Sequence, residues 1–389
     1  MAITTRFFRK KVVSIKLESV YGQDAGPSAS ADAIETRNCK LTPLDLKMVE
    51  QNVDTAQMGH QAELPVATKV MLTFDVALTG SGAAGTAPAY GKLLRCCGLN
   101  ETVFATAHSA TAAAGAANTI TLGATASAVD NAYNNLTITI TGGTGIGQSR
   151  VIKSYVGATK VATVTEAWAT PPDVTSTYSI AEQVVYGLVS SGFESATAYV
   201  YYDGNLHKLL GMRGDWNLKL DGGGIPVVSF TFTALYGGIT DQAVPGNAVY
   251  TAWKTPLAVN NVNTGSFTLH GFAAPLYSLD IKGGVQVVHR DSVVGLEDVI
   301  ITDRKPAGEV LLQAGLLAEK DFYTIARNLN LGALSVTHGT TAGNKVKVDA
   351  PKVQIGAPDY EDKDGVLCHK ASVRLLPTSG NDELTIAVM

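Results

Sequence analysis

The chain has 389 residues, enough for two or three domains with ordinary cores. With 46% hydrophobic and 16% charged residues and 39 glycines, it lacks the charge-rich balance of a disordered chain and reads as β-rich, with much of its surface hidden in an assembly. The net charge of −4 gives no sign of a broadly basic nucleic-acid-binding face, and no apolar run reaches the roughly 18–20 residues of a membrane helix.

The first stretch, MAITTRFFRKKVVSIKLESV, is basic, but Lys16 ends its apolar run after VVSI. That is too short for a secretory signal and predicts a protein made and kept in a cytoplasm. Lys11–Glu18 alternates as a strand does. From Tyr21 to about Glu63 the composition predicts a long polar loop with a second strand at Ala33–Leu41. Loops beyond about 12–15 residues are usually functional. This one carries Asp24, Asp45, Glu50 and Asp54 beside Arg37, Lys40 and Lys47. Paired carboxylates there could act as acid and base. A simpler reading of the mixed charge is a self-assembly surface whose complementarity sets register between subunits.

Val66–Leu78 alternates as a long strand, and TAPAYGKLLRCCGL follows as a short helix stopped by Gly98. Cys96 and Cys97 are expected as buried thiols at the helix end. With Cys39 and Cys368 they make no metal or redox spacing, and a disulfide framework is not expected.

Residues 104–182 change texture to a low-charge, Ala/Thr/Gly-rich stretch. Short β-runs fall at Asn118–Leu122, Leu136–Thr141, Arg150–Tyr155, Lys160–Val164 and Thr177–Ile180, with Tyr133, Tyr155, Trp168 and Tyr178 for a modest core. This predicts a small β-barrel or sandwich inserted in a surface loop. Within it, TITGGTGIGQSRVI places Gly142, Gly147 and Ser149 on the spacing of a phosphate-binding loop. Gln148 stands where the lysine belongs, and a strand follows the glycines where a helix is required. A hairpin loop with positive-φ glycines is the expectation.

After the insert, Glu194–Gly237 is a run of strands with turns at Tyr202–Asn205 and Asp221–Gly224. The remainder repeats the order of the first part. Gly308–Leu317 takes the place of the Val66 strand, Ala318–Gly332 that of the glycine-closed helix, and NKVKVDAPKVQI and GVLCHKASVRLLP, joined by a polar loop at Gly356–Gly365, that of the later strands. The pattern predicts an internal duplication. A first module would comprise residues 1–103 and 183–255, and a second residues 256–389.

The acidic run Ala357–Gly365 fails as a calcium loop, because Tyr360 and Ala371 stand where the first carboxylate and the closing Glu belong. Seven histidines are scattered singly, none in an i, i+4 metal pair. No G-x-S-x-G elbow is present. No catalytic, metal or cofactor residues are therefore assigned.

The strand ending ESVYGQD, the helix APAYGKLLRCCGLNE, the block YYDGNLHKLLGMRGDWNLKLDGGGIPVVSFTFTALYG and TDRKPAGEV…KDFYTIA resemble the tail tube (major tail) proteins of long-tailed bacteriophages. The insert resembles a small β-module found in phage tail and fibre proteins. The resemblance implies a mainly β fold of two tandem tail-tube-like sandwich or barrel modules, each with a short flanking helix. It also implies a virion protein, assembled in the host cytoplasm, that stacks as rings into a tube conducting DNA at ejection. Its partners would be further copies of itself, other tail proteins at the tube ends, and double-stranded DNA passing without specific binding. Two modules per chain would make a ring a trimer of pseudo-sixfold shape. Strands of neighbouring subunits would join edge to edge, polar face to the bore. A mildly acidic bore would repel phosphates. Alternative expectations are a fibre or adhesin subunit binding the host surface and a tail-associated glycan-degrading enzyme.

Overall fold

Alternation of apolar and polar residues dominates the chain, and its consequence is a mainly β fold. The computed structural model describes residues 5–292 and 294–389; the first four residues of the basic N-terminal stretch lie outside them. Before the insert come β1 (Lys11–Leu17), α1 (Ala29–Asp32), β2 (Ala33–Ile34), β3 (Arg37–Glu50), β4 (Glu63–Ala77), α2 (Gly91–Arg95) and β5 (Leu99–Phe104). The insert holds β6 (His108–Thr111), β7 (Ala114–Ala116), β8 (Thr119–Thr121), β9 (Thr137–Gly142), β10 (Ser149–Val156), β11 (Val161–Val164) and β12 (Thr177–Ile180). The body resumes with β13 (Gln183–Leu188), β14 (Ala196–Tyr202), β15 (Gly204–Asp221) and β16 (Val227–Gln242). The last part holds β17 (Ser266–Leu269), β18 (Leu276–Lys282), β19 (Val285–Asp291), β20 (Glu297–Arg304), β21 (Ala307–Gln313), α3 (Phe322–Arg327) and β22 (Leu331–His338). It ends with β23 (Val346–Ile355), β24 (Asp359–Lys363), β25 (Val366–Leu375) and β26 (Thr385–Val388).

The body core forms where alternating strands turn the same parity inward. Val70, Leu72, Phe74 and Val76 on β4 meet Val228, Phe230, Phe232 and Ala234 on β16, all buried. The rings of Phe74, Phe230 and Phe232 lie 5.5–5.9 Å apart, and Trp216 is opposed to Phe230 from β15. Thr73 and Thr231, opposed to each other, face away from this core.

Seventeen strands of the body join in one antiparallel network. One unbroken path through it runs β3–β4–β16–β15–β18–β21–β25–β24. The pairings β15–β18 and β13–β26 cross the boundary expected at residue 255, so the sheet is continuous between the two expected modules. After the long hairpin β3–β4 the chain runs through α2 to β5, and after a second hairpin (β18–β19 with β20–β21) it runs through α3 to β22. The second hairpin bends where Gly283 and Gly284 interrupt it. Gly284 has φ 62°, and a Cβ there would lie 2.2 Å from the Lys305 carbonyl oxygen, so only glycine fits the bend.

The insert forms its own seven-stranded network in the order β6-β12-β9-β10-β11-β8-β7. Tyr133, Tyr155, Trp168 and Tyr178 are buried in its core, Tyr133 and Tyr155 edge to face at 4.8 Å. Val185 and Ala387 of the body extend that core, and the Gln183 side chain both accepts from the Thr137 N–H (2.9 Å) and donates to its carbonyl (3.2 Å).

Three expectations are corrected. The stretch Tyr21–Glu63 is not one long loop with a single strand at Ala33–Leu41: β3 runs on from Arg37 to Glu50 and pairs along its length with β4 as a two-stranded ribbon. Within Gly356–Gly365, β24 forms a hairpin with β25 through Asp364-Gly365, both at positive φ (55° and 82°), the geometry of a tight two-residue turn. The helix expected over Ala318–Gly332 is only α3, capped by the Asp321 carboxylate, which accepts from the Thr324 N–H at 2.8 Å. It is followed by Leu329 at φ 54°, whereas Gly332 lies in β22, where a Cβ would strike the His270 ring.

Candidate assembly site

The β3–β4 ribbon leaves the body at Lys69, the last β4 residue paired to β16. Beyond it the two strands have only each other, and no residue from Leu44 to Val66 is buried. Leu44, Leu46, Met48, Val49, Val53, Met58, Leu64 and Val66 are all exposed there. Clustered exposed apolar side chains of this kind mark an interaction surface, and an unpaired edge strand is a template for another strand. Pro43 removes one donor from the β3 edge, and bulges between Thr42 and Asp45 and between Lys47 and Met48 twist the ribbon.

Of the residues singled out in the sequence, Arg37, Lys40, Asp45, Lys47 and Glu50 lie on β3 and Asp54 in the tip between β3 and β4. Asp45 pairs with Lys69 across the ribbon at 3.4 Å, an exposed contact worth at most about 1 kcal/mol. Glu50 stands opposite Glu63, so two like charges close the ribbon beside Asp54. Asp24 lies apart from this group. Its carboxylate accepts from the Tyr199 hydroxyl (2.6 Å) and the Lys208 ammonium (2.8 Å). Burial opposes its ionisation, but these bonds, with one from the Gly26 N–H, hold it below the usual carboxylate range. The structure thus brings no two of these carboxylates together as an acid–base pair around a pocket. Glu63 completes the acidic end and was not singled out, because as part of a supposed loop it had no assigned partner.

At the other end of β3 is a cleft of about 860 Å³. Arg9, Lys11 and Arg37 line it with Glu35, Phe8 and Tyr250. Lys11 Nζ donates to the Cys39 carbonyl at 3.0 Å and sits 4.1 Å from the Phe8 ring centroid. Phe8, in its lining, and the adjacent Phe7 are exposed. The N-terminal basic residues form no motif of their own in the sequence, and only the fold gathers Arg9 and Lys11 with Arg37 of β3.

The opposite edge of the eight-strand path is β24, DYEDK, whose five residues are all exposed or half-buried. It pairs only with β25. Beside it lie the exposed Tyr360 and Leu367 with Leu316 and Leu317, around a stack of Tyr360 on His369 (5.5 Å). The readable signal for this strand was the Asp364-Gly365 pair between two alternating runs.

The glycine cluster of the insert is the connection of the β9–β10 hairpin. Gly143, Gly145 and Gly147 take φ of 73°, 81° and 85°, and Gln148 Nε2 donates to the Gly145 and Thr170 carbonyls, closing the turn. Among the described residues no three His, Cys, Asp or Glu side chains converge as metal ligands, and no helix is long and apolar enough to cross a membrane. All four cysteines are free and buried, and burial pushes the Cys96 and Cys97 thiols well above their ordinary range. The chain matches no protein-family model and no curated protein sequence.

Proposed function

We propose that this chain is a structural virion subunit that polymerises through its sheet edges into stacked rings, forming a tail tube that conducts DNA at ejection. The single observation that carries the reading is the eight-strand path with two open margins, β3 and β24. The joint β15–β18 inside the chain is a template for closing them. There Asn217–Asp221 pairs antiparallel with Lys282–Ser278, and Lys219 meets Asp280 at 3.7 Å. On this reading β15 and β24 are counterparts, each in a hairpin with the strand that reaches the long-hairpin strands β4 and β21. β18 and β3 are counterparts as the other strands of those hairpins. The edge β24 of one copy then meets β3 of the next as β15 meets β18. The signs suit the contact, for β24 carries Asp359, Glu361 and Asp362 against Lys363, while the body end of β3 carries Arg37 and Lys40, its Asp45 being tied to Lys69.

A head-to-tail contact of this kind closes into a ring when the rotation between copies allows it. Three copies of a twofold-repeated chain would give the pseudo-sixfold form. The sheet face away from the core would line the bore. On it Lys219 pairs with Asp280, and Lys370 with Glu309 at 3.1 Å, so cations are neutralised locally and phosphates are not held. Other tail proteins would cap the tube ends, and the insert would project outward.

Electron microscopy of the purified protein tests the reading, with the mass of the ring giving its copy number. Rings with a channel are expected, as is a disulfide ladder from cysteines introduced on β24 and β3 and not from cysteines placed on β24 alone. A monomer at the highest attainable concentration would overturn the proposal.

A further inference from the structure

We infer that the ribbon tip of one ring seats in the N-terminal cleft of a second copy in the next ring, acidic end into basic socket. This rests on the ring reading above and names the contact that would stack one ring on another. Three observations carry it. First, tip and cleft sit at opposite ends of the same strand. Arg37 lines the cleft and Glu50 closes the ribbon, separated by about 40 Å at roughly 3.3 Å per residue. A contact between the two ends repeats by translation along the ribbon and propagates without limit, as an axial polymer requires.

Second, the charges are complementary. The tip presents Glu50, Asp54 and Glu63, none with an ion-pair partner among the described residues. Glu50 and Glu63 oppose each other directly, a repulsion that a cationic socket relieves. The cleft presents Arg9, Lys11 and Arg37 against the one carboxylate of Glu35. Third, both surfaces add apolar area. Val53 and Met58 are exposed on the tip, Met58 fully, and Phe8 in the cleft lining. The remaining hairpin offers no rival to this role. The β19–β20 arm folds back on the body, where the Arg213 guanidinium donates to the Val299 carbonyl at 2.7 Å and Val299 is buried.

The test uses the full chain. Glu50→Lys with Glu63→Lys places like charges across the contact, which is strongly penalised. Rings are expected to persist while mean tube length falls at least about tenfold. Arg9→Glu with Lys11→Glu, both in the cleft lining and neither on the β3 edge, should give the same short tubes, and combining both pairs of substitutions should restore length. In about 1 M salt, where screening acts within roughly 3 Å, wild-type tubes should shorten toward rings. Circular dichroism checks that each variant is folded. Tubes of normal length from the folded Glu50/Glu63 variant, or no rescue in the combined one, would overturn the contact and leave the ring reading standing. Wild-type filaments without rings would remove the ring reading and keep the contact, whereas a monomer under all conditions would end both.

Discussion

His338 shows how a scattered polar residue serves packing rather than chemistry. It is buried, its Nε2 lies 3.2 Å from the Leu257 carbonyl and its Nδ1 3.1 Å from the Thr264 hydroxyl. The carbonyl can only accept, so Nε2 carries the proton and Nδ1 accepts from Thr264 in the neutral ring. Burial lowers the imidazole pKa below its ordinary 6.5, only partly opposed by the Leu257 carbonyl. His108, His207, His270 and His369 shift the same way, burial again being the main cause. The unfolded chain then takes up these protons first as pH falls. Stability is full above about pH 6.5 and declines below it, by on the order of 1.4 kcal/mol for each pKa unit of difference. Asp215 and Glu166, raised by burial, act in the opposite sense and are outnumbered. The melting temperature is therefore expected to fall between pH 8 and about pH 5.5, and His338→Gln to flatten that slope. A melting temperature flat over this range would contradict the assignment. The sequence marked His338 as isolated, but it could not place it in the core, because its partners Leu257 and Thr264 come from a distant loop. Leu329 is a parallel case: a positive φ at a leucine has no compositional sign, so the helix end was sought at Gly332.

The β3–β4 ribbon marks the limit of sequence reading for elements. Leu44, Leu46 and Met48 alternate with Asp45 and Lys47, which is a strand pattern. Pro43 cuts it off from Ala33–Leu41, and with no buried face there was no contrast between inside and outside to extend it. The β16 strand was readable for the converse reason, since Phe230 and Phe232 against Thr231 and Thr233 report a core on one side only. The ribbon's form changes what its truncation does. Replacing residues 51–62 by a two-residue turn keeps the β3–β4 pairs and shortens only the tip, while the pairing of β4 to β16 begins at Lys69 and is untouched. Such a variant is expected to fold with an unchanged melting temperature and to give single rings that do not stack. Long tubes from it, seen by electron microscopy, would put the stacking contact elsewhere.

At the scale of the molecule, texture in the sequence separated the insert from the body, but it carried no information on which distant strands pair. The joints β15–β18 and β13–β26 connect residues far apart in the chain, and only the folded sheet reveals that β3 and β24 are left as the ends of its eight-strand path. The same register predicts that the insert can be removed. Phe104, at the end of β5, is paired with Gln183, at the start of β13. Excising the residues between them leaves two antiparallel strand ends that a short hairpin turn can join. The excision uncovers Val185 and Ala387, which the insert buries, and frees the Gln183 amide from Thr137. A loss of a few kcal/mol in stability is expected from the two exposed side chains. Neither β3 nor β24 is touched, nor are the ribbon tip and the basic cleft. Deletion of the insert is therefore expected to lower the melting temperature while rings and tubes still form, and a Val185→Thr change in the shortened chain should recover solubility. If the deleted chain folds, as judged by circular dichroism, yet yields no rings in the microscope, then the insert holds part of the contact between copies, and the two sheet edges do not close the ring alone.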